Sequence, residues 1–277
     1  MNHARKTDFD YVESIVKNSK SSFSLGMKAL PHGRRGYLYA IYAYCRVLDD
    51  IADDDGFAQD KVKQLALWRD KIDLMLKGQP SCEITRVLAD AVALYDIPTQ
   101  EFYHLIDGME SDANGPIQKP TWEELYTYCR CVAVSVGLLS LPIFGRTDPQ
   151  AQSFAKELGF ALQLTNILRD IEEDRTINRI YLPKESMDTH GVEDVRSPNL
   201  HLVLKEIAEK AKEHYRQAEQ IIHSCGSDNL KPALMMKAVY GSLFKKMEAR
   251  GWHKTSPRMR LSTIEKAMAV MKQMVHI

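Results

Sequence analysis

Apolar residues recur at helical spacing along most of the chain, and the strict alternation of a half-buried strand is absent. The pattern predicts helices near residues 8–20, 33–54, 58–77, 84–95, 98–111, 121–143, 148–175, 200–225, 229–250 and 261–275. Breakers fall between them. Leu30-Pro31-His32-Gly33 opens one helix and Gly78-Gln79-Pro80 closes another. Asn114-Gly115-Pro116 precedes a start at Thr121, where Glu124 can complete a capping box. Segment 176–199 has weak periodicity and carries Pro183, Gly191 and Pro198, so it reads as a loop. No repeat, low-complexity tract or linker stands out, which predicts one all-α domain over residues 1–277.

Composition narrows the function classes. The chain has 277 residues, 44% apolar, enough to bury a sizeable core or a deep cavity. Lys+Arg and Asp+Glu balance at 37 each, without the basic surplus of a general nucleic-acid binder. Five cysteines with no CxxC fit neither a disulfide framework nor a zinc site, and point to a reducing compartment. The N-terminus has no apolar signal core. The longest mostly apolar stretch, Val132 to Gly145, is broken by Pro142 and reads as a buried helix too short to span a membrane. A cytoplasmic protein is expected, with a peripheral contact to the inner membrane face left open.

Two acidic stretches carry the candidate chemistry. The first runs from Tyr42 to Asp55 and holds five acids in its last seven positions. On a helix, Tyr42, Arg46, Asp49 and Asp53 share one stripe. Like charges four residues apart repel, and the C-terminal end of a helix is the wrong end for acids. A cation between Asp49 and Asp53 would remove that cost; a solvated helix end is the plain alternative. The preceding run, Gly36 to Cys45, is almost wholly apolar or aromatic, which favours a buried helix whose acids face a cavity mouth. In the second stretch, Gln163, Asn166, Asp170 and Asp174 fall at i, i+3, i+7 and i+11 on an otherwise apolar helix. Buried amides and carboxylates need partners. A salt-bridge network would satisfy them. So would Mg²⁺ shared with the first pair, completed by phosphate oxygens and water.

At these residues the chain resembles the squalene/phytoene synthases, the head-to-head prenyl synthases. YAYCRVLDDIADD and LQLTNILRDIEEDRTINRIYLP are similar to the two signature regions of that family, and Ser21-Ser22-Phe23-Ser24 and Tyr128-Cys129-Arg130-Cys131 extend the likeness over essentially the whole chain. The resemblance implies an all-α, isoprenoid-synthase-type helical bundle around a large central cavity. It implies Mg²⁺ held by Asp49, Asp53, Asn166, Asp170 and Asp174, with Gln163 beside the metals. Ser21, Ser22, Phe23, Tyr42, Arg46 and Tyr240 would lie at the substrate's diphosphate end, and Arg169, Arg179 and Tyr181 match motif positions. Arg46 could instead be a simple partner of Asp49 or Asp50.

Short length, the Ser21-Ser22-Phe23 start and the lack of a C-terminal membrane tail resemble the bacterial members that join two farnesyl diphosphates into presqualene diphosphate for hopanoid synthesis. Enzymes acting on that product would then be partners. A complete squalene synthase using NADPH and a phytoene synthase acting on geranylgeranyl diphosphate are the alternatives. A non-catalytic prenyl-diphosphate-binding subunit is disfavoured, because all four expected acids are present. Two departures stand out: Lys20 where many relatives have Ser, and Cys131 where a Tyr is common, which questions any phenol-dependent step. Lys254, Arg258 and Arg260 read more readily as a solvated charge cluster than as a phosphate site.

Overall fold

The computed structural model describes residues 3–19, 26–115 and 117–275. Ser21, Ser22 and Phe23 lie outside the described residues. The helices are α1 (Lys6–Asn18), α2 (His32–Asp53), α3 (Ala58–Leu76), α4 (Glu83–Tyr95), α5 (Gln100–Ala113), α6 (Trp122–Phe144), α7 (Pro149–Thr176), α8 (Lys184–His190), α9 (Leu200–Cys225), α10 (Lys231–Arg250) and α11 (Thr263–Val275). Among the described residues no strand forms, only an isolated bridge between Gln118 and Ile180. The fold is all-α, of the isoprenoid-synthase type.

Most helix bounds fall within a few residues of the periodicity. The Thr121 cap is as expected: its hydroxyl accepts from the Glu124 amide at 3.2 Å, and the Glu124 carboxylate accepts from the Thr121 amide at 2.7 Å. The expected loop at 176–199 needs correction, because Lys184–His190 is helical. Pro183 precedes it with φ −61°, and Gly191 ends it with φ +61°. Proline pre-sets the entry and glycine accepts the left-handed exit. The expectation for Val132–Gly145 also needs correction. It belongs to the 23-residue α6, long and apolar enough to cross a bilayer by length and composition. Half of its apolar window is buried in the bundle, where α5 and α7 flank it.

Packing builds two apolar clusters. One gathers Val12, Ile41, Tyr44, Leu65, Leu88 and Phe102 from α1–α5, with contributions from α6 and α7. The other gathers Leu125, Leu164, Leu168, Val203 and Ile207 around the long α7–α9 pair. Leu138 and Tyr215 pack against both.

Helix α6 contains a π turn at Arg130–Val134. The extra residue in such a turn rotates the helical face that follows it. The Arg130 guanidinium ties the turn down, donating at 2.7 Å to each Glu101 oxygen and at 2.8 Å to Ser135 Oγ. Two glycines admit its width. A Cβ on Gly108 would lie 2.6 Å from Val132 Cγ1, and one on Gly159 would lie 2.9 Å from Val134 Cα. The turn sets which α6 residues reach the central space.

Candidate active site

Three helices grade from apolar to polar along the same wall. On α2, Leu38 and Cys45 are followed by Arg46, Asp49 and Asp53. On α7, Ala155, Leu158 and Leu162 are followed by Asn166, Asp170 and Asp174. On α6, which offers its polar end first, Tyr128 precedes Val132, Val136 and Leu141. Together with Met236 and Tyr240 of α10 they enclose a cavity of about 550 Å³, within the range of sites that take a small organic ligand. It has the polarity of an amphiphile: charged at one end and greasy at the other. Tyr42, Gln163, Arg169, Arg179 and Tyr181 also line it, so every expected site residue within the described chain faces one space. Of the apolar α6 residues, Val132, Ala133, Val136 and Gly137 line the cavity. Val134 and Leu139 are buried in the core instead, and Leu138 packs against it.

Arginines neutralise most of the acids. Arg46 donates to Asp49 at 3.2 Å and reaches Asp50 at 2.5 Å, so its plainer role is present in this state. Arg179 donates to Asp53 at 2.6 Å and to the Ala52 carbonyl at 3.0 Å. Arg169 grips Asp170 with two nitrogens, at 2.7 and 2.5 Å. Arg258 donates to the same Asp170 oxygen at 2.6 Å and lines the cavity. Its expected place in a solvated cluster is therefore corrected. The segment between α10 and α11 folds back over α7, and sequence spacing carries no signal of that.

Burial and mutual repulsion govern the other carboxyls. Asp49 is raised to about 6, first by burial and then by Asp53, with Arg46 opposing. Its side chain keeps 44% exposure, but that surface opens onto the cavity, where the walls still withdraw it from bulk water. Asp174 rises to about 7, again by burial first and then by Asp170, with Arg179 opposing. The Asn166 amide donates to Gln163 at 3.2 Å, and its buried Oδ1 has no hydrogen-bond partner among the described residues. A buried acceptor without a partner costs free energy unless something else supplies the contact.

Asp112 and Tyr128 are among the lining residues that sequence reading missed. Asp112 of α5 is 7% exposed and receives hydrogen bonds from Tyr128 at 2.8 Å and Tyr181 at 2.6 Å. It belongs to no acidic stripe, so no local signal marks it. Tyr128 stood only inside a quoted motif. Cys131 does not line the cavity; its Cβ packs against Gly108. The phenol that α6 offers the cavity is that of Tyr128.

Comparison with known proteins decides the family. The squalene/phytoene synthase family model matches residues 16–265. The chain belongs to the squalene/phytoene synthase family. It is a head-to-head prenyltransferase. It is 39% identical to the presqualene diphosphate synthase of Zymomonas mobilis, over 91% of this chain and 88% of that protein. Phytoene synthases match too: that of Thermus thermophilus is 31% identical over 96% of this chain and 92% of its own. Among solved structures, a dehydrosqualene synthase in complex with ligand superposes with a TM-score of 0.84 at 28% identity, covering 98% of this chain and 96% of that one.

Proposed function

We propose that the chain joins two molecules of farnesyl diphosphate head to head, with Mg²⁺ as cofactor, and releases presqualene diphosphate. The observation that carries this reading is the graded cavity, with two acid pairs and four arginines at one end of an apolar chamber. The higher identity to a presqualene diphosphate synthase supports farnesyl over geranylgeranyl chains.

The donors suit the metal. They are hard oxygens on two helices lining one cavity, and Asn166 Oδ1 is buried with no hydrogen-bond partner among the described residues. Among the described residues no three His, Cys, Asp or Glu side chains converge on one ion. Mg²⁺ needs only one or two carboxylates when phosphate oxygens and water complete its octahedron. Asp49, Asp53, Asn166, Asp170 and Asp174 would hold it, and when bound it supplies positive charge against the departing diphosphate.

The chain's own residues do the rest. Arg46, Arg169, Arg179 and Arg258 present planar, always-charged forks suited to diphosphate oxygens. When the allylic C–O bond breaks, its electron pair leaves with the diphosphate. The 2,3 double bond of the second substrate attacks the allylic cation, and loss of a proton closes the cyclopropane. Released diphosphate and Tyr42 are the candidate proton acceptors. Val132, Val136, Leu158 and Leu162 keep water from the cation, which water would otherwise trap as an alcohol. A cytoplasmic place, a peripheral membrane contact and hand-over to enzymes that consume the product are further parts of this reading.

The test is incubation with farnesyl diphosphate and Mg²⁺, without NADPH, followed by product identification. Presqualene diphosphate is expected. Squalene formed only with NADPH, or phytoene from geranylgeranyl diphosphate in preference, would replace this reading. Asp49→Ala and Asp170→Ala are each expected to keep the helical fold and to lose at least about 100-fold in turnover. Full activity in both would end the metal assignment.

A further inference from the structure

We infer that Asp112 is a positioning residue: it turns the hydroxyl protons of Tyr128 and Tyr181 toward itself, so that two phenol oxygens face the cavity as acceptors only. The inference rests on the reaction proposed above, in which positive charge develops on substrate carbon.

An ionised carboxylate has no proton to give, so both phenols must donate to it. Tyr128 donates to Oδ2 at 2.8 Å and Tyr181 to Oδ1 at 2.6 Å. The two hydroxyl oxygens are 3.3 Å apart, and their rings stack at 5.0 Å between centroids with 22° between planes. One carboxylate therefore orients both rings as a unit. Each hydroxyl has one proton, and it is committed. The remaining lone pairs can only accept, and both tyrosines line the cavity. Oxygen lone pairs and the negative ring faces both favour a nearby cation.

Asp112 is held for this arrangement at a cost. Burial pushes its carboxyl up, while Arg179 and the two phenols pull it back. Arg179 Nε stands 3.8 Å from Asp112, and Nη1 of the same guanidinium holds Asp53 at 2.6 Å. The phenol pair is thus tied to the first acid cluster. A core that needed only packing would take phenylalanines and no buried carboxylate, since a buried ion is costly unless well paired.

Asp112→Asn keeps the shape but must donate through its amide to one phenol oxygen. That forces one hydroxyl proton round toward the cavity. The experiment measures kcat, KM for farnesyl diphosphate and melting temperature for wild type, Asp112→Asn, the Tyr128→Phe/Tyr181→Phe pair and the triple variant. Asp112→Asn is expected to lower kcat by about 10-fold or more, with KM changed less than about 3-fold. The melting temperature should hold, because the substitution removes a buried charge. The triple variant should be no slower than the Phe pair, since residues acting through one another are not additive. Wild-type kcat in Asp112→Asn overturns the inference, as do losses that multiply in the triple variant. Wild-type kcat in the Phe pair overturns it even if Asp112→Asn fails to fold. A wild-type chain that turns over no prenyl diphosphate brings down the proposed reaction itself, and this role with it.

Discussion

Asp174 offers a direct test of the electrostatics of the cavity. Its carboxyl lies near 7 in the folded protein against 3.8 for an ordinary aspartate. The folded state therefore binds more protons than the unfolded state between these values, and stability falls as pH rises through the window. A difference of about 3 pH units corresponds to about 4 kcal/mol at most. Asp174 is only half-buried and lines the mouth of a cavity, so screening leaves about 1–2 kcal/mol. Asp174→Asn should recover that amount in metal-free protein above pH 7. Among the described residues only the backbone carbonyl of Asp174 serves as an acceptor, for the Ile177 and Arg179 amides, so the amide side chain sacrifices no hydrogen bond to them. At about 2 °C per kcal/mol for a domain of this size, the variant should melt about 2–4 °C above wild type at pH 8. The gap should narrow toward pH 4, where the carboxyl is protonated in the folded state and increasingly so in the unfolded one. Thermal melts in EDTA across that range are the assay. A variant less stable than wild type at pH 8, or a gap that ignores pH, would refute the reasoning.

Two further outcomes are expected. Arg258→Gln breaks the 2.6 Å contact to Asp170 but leaves Arg169 as its counter-ion. The substrate-free melting temperature should move by less than about 2 °C, while calorimetry should show affinity for inorganic diphosphate with Mg²⁺ reduced by about 10-fold. Gly159→Ala sets a Cβ 2.9 Å from Val134 Cα and 3.0 Å from Val134 N, backbone atoms that cannot swing aside. A cost of about 1–3 kcal/mol is expected, visible as a lower melting temperature.

Local spacing determined much of this protein from sequence alone. Helix positions follow from the 3.6-residue period, and the stripes Tyr42-Arg46-Asp49-Asp53 and Gln163-Asn166-Asp170-Asp174 follow from the same geometry within one helix. Motif resemblance added the family, and the described residues to which it gave a site role all line one cavity. Helix α8 escaped notice because seven residues are under two turns, too few to display a period. Other features belong to no local pattern. Arg258 meets Asp170 from 88 positions away, and Tyr181 meets Asp112 from 69. Such meetings depend on how helices dock, and docking is set by side-chain fit: the π turn of α6 seated against Gly108 and Gly159 decides which face of α6 looks inward. Sequence therefore determined which residues could hold magnesium and diphosphate. Only the packed bundle decided that α2 and α7 line one chamber, that arginines neutralise most of its acids, and that a buried carboxylate on α5 governs two phenols.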